Sequence, residues 1–230
     1  MRYWFWTFNL SCARRVRAVK ALLPPDTGLL AVTGNAGAVA DPAWLTACAD
    51  FARAEGWGCE SLTAGFPNAR RLIGLGIPPA WVNLEPSMPS FGHRERDLLA
   101  DAQLAASWGL GLTLTGQPLF GTRNCPERWN YALAAEYVGL HLQTQTWVDP
   151  PEKWAAALAL LREQHNKRGL PLPRVQVSVA GNLRNGVPTA RAVAAVREAE
   201  AAGFSEMVIQ WALSEPSQPG DFLRALAGVV

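Results

Sequence analysis

Eight short apolar segments that alternate with eight helical ones predict an α/β fold, a (β/α)8 TIM barrel that forms a single domain over residues 1–230. Three observations support this prediction. Strand-like and helix-like patterns alternate almost throughout, the chain has the length of one such barrel, and it contains no linker or low-complexity tract. The alternative is an open sheet with six or seven strands, because short strands are easily misassigned from one sequence.

Runs of valine, leucine, threonine and aromatic residues mark the predicted strands. They are Tyr3–Phe8, Leu29–Thr33, Gly58–Thr63, Trp81–Glu85, Leu110–Thr115, Val138–Thr144, Arg174–Val179 and Glu206–Trp211. Because a closed barrel leaves no free edge, we expect the first strand to pair with the last.

Helix starts and ends carry the usual signals. Asp41 precedes Pro42 at one start, while Gly56 and Gly169 stand just past helical runs. The predicted helices are Ser11–Leu23, Pro42–Glu55, Asn68–Leu75, Arg94–Trp108, Pro126–Glu136, Pro151–Arg168, Pro188–Ala202 and Gly220–Ala227.

The fourth strand suggests where chemistry lies. Val82 and Leu84 alternate with Asn83 and Glu85, and side chains on a strand alternate between its two faces. If the apolar pair packs on helices, the polar pair faces the barrel axis. Glu85 then lies at the carboxyl end of the strand, where barrel enzymes place their catalytic groups, and it is the one carboxylate that this pattern assigns to the interior.

The same alternation predicts the interior of the other strands. It places Thr113, His141, Gln143, Gln145, Gln176, Ser178 and Gln210 inside, and on the first strand Tyr3, Phe5, Thr7 and Asn9 inside with Trp4, Trp6 and Phe8 outside. The lining is therefore rich in amides and hydroxyls. His141 is expected to be a hydrogen-bonded core histidine rather than a ligand.

A polar lining has two interpretations, since buried polar groups must be hydrogen-bonded. It is either an internal network that fills the barrel or a pocket for a neutral, polyhydroxylated small molecule or oligosaccharide. The pocket interpretation takes Asn9, Gln143, Gln145, Trp147, Gln210 and Trp211 as substrate-binding residues. The two tryptophans could stack on a sugar face or simply pack.

The composition of the chain argues against several classes of binding partner. A net charge of +2 with 17% charged residues favours neither nucleic acid nor an anionic membrane surface, and no apolar run reaches the roughly 18 residues of a membrane span. We expect a cytoplasmic protein, with secretion left open, and make no prediction of oligomeric state. The three histidines and four cysteines show no ligand spacing, so no metal and no cofactor are predicted, while disulfide pairing is left open.

Two short motifs resemble glycoside hydrolases of families 18 and 85. Asn83-Leu84-Glu85 is similar to the N-x-E arrangement of the family 85 endo-β-N-acetylglucosaminidases. Met207-Val208-Ile209-Gln210-Trp211 resembles the eighth strand of family 18 chitinases, which ends in a tryptophan below the sugar. The family 18 aspartates are replaced by Pro78, Trp81 and Asn83, and Gln143-Thr144-Gln145 stands where that family has a tyrosine.

The resemblance implies a substrate-assisted glycosidase acting on an N-acetylhexosamine-containing glycan. In such enzymes the 2-acetamido group attacks the anomeric carbon, so one protein carboxylic acid suffices. Glu85 would be the general acid and Asn83 would orient the acetamido group. The alternatives are a non-catalytic carbohydrate-binding barrel and a small-molecule isomerase or lyase that uses Glu85 as base.

Overall fold

A computed structural model describes residues 1–34, 38–84, 95–115, 130–144, 147–179, 186–211 and 218–228; for residues 95–96, 115, 211 and 218–220 it describes the backbone only. The strands are β1 (Arg2–Thr7), β2 (Gly28–Thr33), β3 (Gly58–Ala64), β4 (Trp81–Leu84), β5 (Gly111–Thr115), β6 (Leu140–Gln143), β7 (Arg174–Val179) and β8 (Glu206–Trp211). The helices are α1 (Leu10–Ala18), α2 (Pro42–Glu55), α3 (Gly65–Gly74), α4 (Glu95–Ser107), α5 (Tyr131–Ala135), α6 (Pro151–Asn166), α7 (Thr189–Ala201) and α8 (Gln218–Ala227), with a 3₁₀ turn at Lys20–Leu22.

The strands of the described residues form a closed barrel in which every strand is parallel to its neighbours. β1 closes it by pairing with both β2 and β8, for example Trp4 with Gly28 and Arg2 with Glu206. The (β/α)8 prediction is confirmed and the open-sheet alternative is wrong. No helix among the described ranges is long and apolar enough to cross a membrane.

The helix boundaries follow the capping chemistry. The Asp41 side chain accepts the backbone N–H groups of Ala43 and Trp44, as predicted for the start of α2. The third helix begins earlier than predicted, because Gly65 follows β3 directly and Pro67 stands in the first turn, where a missing N–H is tolerated.

An outer apolar core lies between the strands and the helices. Val82, Leu112, Leu142, Val177 and Ile209, one from each strand from β4 to β8, are buried in it. The predicted outward face of β4 to β8 is therefore confirmed. Their alternating neighbours face the barrel axis, and this places the polar side chains of these five strands inside.

On β1 the predicted faces are reversed. Tyr3 and Phe5 lie in the outer core, whereas Trp4 and Trp6 belong to a second apolar cluster inside the barrel. Phe8 packs against that inner cluster. Because both faces of this strand are aromatic, hydrophobic alternation does not distinguish them. What decides the orientation is the space inside the barrel.

Two glycines provide that space, Gly28 on β2 beside Trp4 and Gly111 on β5 beside Trp81. A Cβ atom added at Gly28 would come within 2.4 Å of the Trp4 ring, and one added at Gly111 within 2.4 Å of the Trp81 ring. Any side chain at either position would displace an indole. The two indoles can therefore fill the amino-terminal end of the barrel only because both glycines lack side chains.

Arg174 on β7 lies between these two indoles. Its guanidinium carbon is 4.6 Å from the ring centroid of Trp4 and 4.6 Å from that of Trp81. The guanidinium also donates to both carboxylate oxygens of Glu60, at 2.5 and 3.0 Å, and to Glu206. The same Glu60 accepts the indole N–H of Trp81 at 2.5 Å. These five side chains form one connected cluster, here called the Arg174 cluster.

Two opposing effects act on Arg174, whose side chain is 11% exposed. Burial disfavours its charge, but the hydrogen bonds and negative charges of Glu60 and Glu206 outweigh burial and raise the pKa of Arg174. The cation is therefore permanently present between the two rings, where cation–π attraction is strongest once water is removed.

Replacing Arg174 should destabilise the protein more than replacing an exposed arginine. Arg174→Leu leaves the partly buried Glu60 without its cation and Glu206 with only the more exposed Arg2 at 3.5 Å, and it should lower the free energy of unfolding by about 3 kcal/mol. Arg174→Lys keeps the charge but loses the bidentate contact, so its effect should be intermediate. Urea titration followed by tryptophan fluorescence measures both. The matched control is Arg168→Leu, whose half-exposed pair with Glu136 should contribute at most about 1 kcal/mol. Equal losses for Arg168→Leu and Arg174→Leu would contradict the structural role of the Arg174 cluster.

Candidate functional site

Above the Arg174 cluster the barrel interior has two unlike walls. Strands β1 to β3 contribute apolar residues, namely Trp6, Leu30, Val32 and Leu62. Strands β4 to β8 contribute uncharged polar ones that are buried or nearly so, namely Asn83, Thr113, His141, Gln143, Gln176, Ser178 and the partly exposed Gln210. A molecule entering from the carboxyl ends of the strands would meet amides on one side and indole or aliphatic groups on the other.

Asn83 and Gln143 meet inside the barrel, as the strand alternation predicts. The Gln143 side chain donates from Nε2 to Oδ1 of Asn83 over 3.0 Å. Both residues are buried, at 1% and 5% exposure. The bond spans from β6 to β4 across the intervening β5, and it fixes the Asn83 amide with its oxygen toward β6.

A second amide group lies on β7 and β8. Oε1 of Gln210 accepts from Nε2 of Gln176 at 2.6 Å and from the hydroxyl of Ser178 at 3.0 Å. Two donors hold the Gln210 oxygen, and none of the described residues accepts from its amide NH₂, so this group can donate to a ligand. Gln210 is also the more exposed member of this set, so it is the residue best placed to meet a ligand.

His141 lies below these amides as a core residue. Its Nδ1 is 3.3 Å from the Thr113 hydroxyl, and its ring packs edge-on against Trp6 and Trp81. Burial, together with the positive charge of Arg174, lowers the pKa of His141 to about 3, although a hydrogen bond with the Gln176 side chain acts in the other direction. The imidazole is neutral at neutral pH, which agrees with its prediction as a core histidine.

The acidic residues of the interior differ from the sequence prediction. Glu85 was the one carboxylate expected inside, and it lies outside the described residues; among the described ones Glu60 and Glu206 face inward at the amino-terminal end, where both bind Arg174. On β3 Glu60 shares the inward face with the apolar Leu62, so hydrophobic alternation gives no signal for this carboxylate. These two carboxylates are neutralised at the closed end of the barrel and are distant in register from the carboxyl ends of the strands.

Besides Trp147, four of the predicted site residues take other positions or lie outside what the structure describes. Glu85 and Gln145 lie outside the described residues, and for Trp211 only the backbone is described. Asn9, expected inside, is exposed and caps α1 by accepting the Cys12 backbone N–H at 3.0 Å. Its position follows from the reversed faces of β1.

Trp147 is the second correction to the predicted binding residues. It is 2% exposed and packs in the outer core, and its backbone N–H donates to the Thr144 carbonyl at 2.8 Å. Of the two roles considered for this tryptophan, the structure supports packing. An indole buried between strand and helix does not stack on a sugar at the barrel mouth.

Residues omitted from the predicted binding set complete the site. Gln176 and Ser178 set the orientation of Gln210, and the alternation of β7 had already placed both inside. Phe8, which borders the apolar wall and is partly exposed, was assigned to the wrong face.

Among the described residues, no group of three or more histidine, cysteine, aspartate or glutamate side chains is arranged to hold a metal ion.

Comparison with solved structures finds barrels of low sequence identity. A candidate alpha-L-fucosidase from Bacteroides thetaiotaomicron has a TM-score of 0.55 and 9% identity, covering 88% of this chain and 84% of that one. The YdjI aldolase from Escherichia coli K12 has a TM-score of 0.53 and 11% identity, covering 90% and 74%. Apo-MsnO8 has a TM-score of 0.52 and 13% identity, covering 96% and 91%.

No protein-family model matches the sequence, and comparison with curated proteins finds no significant match. At identities of 9–13% the structural likenesses show the fold alone. The named activities of these neighbours also differ from one another, as expected of a barrel that supports many chemistries.

The low pKa of His141 predicts how stability depends on pH. The unfolded chain binds a proton near pH 6.5 and the folded one only near pH 3, so acidification between these values favours unfolding. Relative to His141→Gln, the parent should lose about 2 kcal/mol more unfolding free energy between pH 7 and pH 5. Urea titrations at the two pH values measure this difference. His165, whose pKa burial also lowers, is present in both proteins and cancels. Parallel pH dependence of parent and variant would contradict the prediction.

Proposed function

We propose that this chain is a glycosidase that hydrolyses N-acetylhexosamine-containing glycans at the carboxyl ends of its strands, with Glu85 as general acid. The observation that carries the proposal is the position of Asn83, which faces the barrel axis at the end of β4 and is held there by Gln143. On a strand that continues with the same alternation, Glu85 takes the next inward position, one level nearer the mouth.

The two unlike walls support a carbohydrate ligand. Sugars have apolar C–H faces and hydroxyl edges, and hydroxyls both donate and accept hydrogen bonds, as amides do. Gln143, Gln210 and Ser178 supply such groups on one side, while Phe8 and Val32 supply an apolar surface on the other. The polar wall of the described residues is uncharged above the Arg174 cluster, which favours a neutral ligand over a phosphorylated one.

Substrate assistance requires only one protein carboxylate at the mouth. In this mechanism the acetamido oxygen attacks the anomeric carbon while an acid protonates the leaving oxygen, so no second protein carboxylate is needed. Glu60 and Glu206 are bound to Arg174 at the opposite end. Asn83 would hydrogen-bond the acetamido group and Glu85 would donate the proton, as the N-x-E resemblance implies.

The fold neighbours are compatible with this proposal without selecting it, because a fucosidase and an aldolase share the fold equally well. Aldolase chemistry through a Schiff base requires a lysine in the site. Lys20, Lys153 and Lys167 lie on the 3₁₀ turn, in α6 and at the end of α6, away from the barrel interior. The isomerase or lyase alternative uses Glu85 as its base instead.

A second candidate, a carbohydrate-binding barrel without catalysis, is favoured by the internal bonds of the amides. Asn83 pairs with Gln143, and Gln210 with Gln176 and Ser178, so the polar wall is hydrogen-bonded before any ligand arrives.

We further propose that residues 1–230 form one domain and that the protein acts in the cytoplasm. Gln145 and Trp211 complete the proposed binding set.

The decisive variant is Glu85→Gln. The parent should hydrolyse aryl N-acetylglucosaminides and leave the matching glucosides intact, because glucosides lack the assisting group. Loss of a general acid should reduce kcat/KM by about 10²–10⁴-fold. The loss should be smaller for a nitrophenyl substrate than for an alkyl one, since the more acidic leaving group needs less protonation.

Glu163→Gln is the matched control, because Glu163 is exposed on α6 and pairs only with Lys167 among the described residues. It should keep parental activity. Equal turnover of glucosides and N-acetylglucosaminides would exclude substrate assistance. A parent protein that binds sugars but turns over no glycoside would favour the binding barrel. A parent that shows neither sugar binding nor turnover would favour the isomerase or lyase.

Asn83→Ala tests the second catalytic role. It should weaken binding of a thiazoline analogue of the cyclised acetamido intermediate by about tenfold or more, since one hydrogen bond to a developing charge is lost. Binding of the free sugar product should change less. Calorimetry with both ligands measures the ratio of the two affinities. Gln143→Leu serves as control, because it breaks the same amide pair but leaves the Asn83 side chain in place. Equal weakening of both ligands would assign Asn83 a purely structural role.

A further inference from the structure

Two cysteines from different elements meet behind the barrel wall. Cys48 on α2 and Cys59 on β3 place their sulfur atoms 3.9 Å apart. Cys48 is fully buried, while Cys59 is partly exposed. Thr7 Oγ1, from the neighbouring β1, is 3.7 Å from the Cys48 sulfur. Both thiols are reduced in the structure, and neither takes part in the site at the barrel mouth.

The pair is electrically asymmetric. The Cys59 thiol donates to the Cys48 sulfur, and this bond lowers the pKa of Cys48; burial opposes the shift and Thr7 assists it. The same bond, with burial and the charges of Cys48 and Glu60, raises the pKa of Cys59. One sulfur thus gains thiolate character while the other retains its proton, which is the arrangement in which one thiol attacks and the other resolves.

We propose that Cys48 and Cys59 form a peroxide-sensitive dithiol that closes reversibly into an internal disulfide. Its co-reactant is hydrogen peroxide, a neutral molecule small enough to reach a buried sulfur past the partly exposed Cys59. The proposal is independent of the function proposed for the barrel mouth.

The chemistry has two balanced steps. The Cys48 thiolate attacks one peroxide oxygen, the O–O bond breaks, and Cys48 becomes a sulfenic acid while hydroxide leaves and takes up a proton as water. The Cys59 sulfur then attacks the Cys48 sulfur, forming the S–S bond and releasing a second water. Two thiols lose two electrons and two protons, and one peroxide is reduced to two waters.

The geometry requires only a local adjustment. A disulfide bond is about 2.05 Å long, so the two sulfurs, 3.9 Å apart, must approach by about 2 Å through side-chain rotation and a shift of α2 against β3. The bond would close a ring of residues 48–59 and fix the end of α2 to the first half of β3. A small-molecule dithiol would reverse it by exchange.

The test is treatment of the native protein with a small excess of hydrogen peroxide, followed by alkylation and non-reducing tryptic mapping. Arg53 separates the two cysteines, so they lie on different tryptic peptides and a linked pair is direct evidence of the disulfide. We expect the linked pair in the native protein at a rate at least about tenfold above that in urea. Reduction with dithiothreitol should remove it.

Single variants test the order of steps. In Cys59→Ser, Cys48 should accumulate sulfenic acid that a cyclic 1,3-diketone traps, whereas Cys48→Ser should leave Cys59 largely unreacted. Cys12→Ser is the matched control, because Cys12 is equally buried but bonds to Asn9 rather than to a thiol. It should form the linked pair at the parental rate. Absence of the Cys48–Cys59 peptide, or its formation no faster in the native protein than in urea, would overturn the proposal.

Discussion

The arrangement of the barrel interior depends on one cation held between two indoles. Arg174 needs Glu60 and Glu206 because a guanidinium without counter-charges would be costly at that depth. The indoles of Trp4 and Trp81 need Gly28 and Gly111 because a side chain at either glycine would overlap a ring. The side chains of the Arg174 cluster are therefore stable at that depth only together. They fill the amino-terminal end of the barrel.

The Arg174 cluster at the amino-terminal end limits the chemistry that is available at the carboxyl ends of the strands. With charge confined to the Arg174 cluster, the described interior above it consists of neutral amides and hydroxyls facing an apolar wall. The positive charge of Arg174 also helps to keep His141 neutral, so the imidazole acts as packing and as a hydrogen-bonding group rather than as an acid or base. The proposed proton transfer at the mouth therefore requires a residue nearer the carboxyl ends of the strands, and the alternation of the sequence predicts Glu85 for this role.

Hydrophobic alternation predicted the interior wherever one face of a strand was apolar and the other polar. It was right for Asn83, Gln143 and Gln210, because a misplaced amide would have faced the outer core without a partner. It failed on β1, where both faces are aromatic and the choice rests on Gly28 of the paired strand β2, whose missing side chain leaves room for the Trp4 ring. It also missed the contact between Cys48 and Cys59, since such a meeting depends on how α2 packs against β3 and leaves no periodic signal.

The internal pairing of the amides does not argue against ligand binding. Exchanging an amide–amide bond for an amide–hydroxyl bond changes the free energy little, because a net hydrogen bond contributes only about 1 kcal/mol and no buried donor or acceptor is left unpaired by the exchange. The polar wall would therefore select ligands by the pattern of their hydroxyls, and the affinity would come largely from apolar area covered near Phe8 and Val32. Amide pairs such as Asn83 with Gln143 would then hold the empty site in one shape and release its hydrogen bonds to a sugar that matches them.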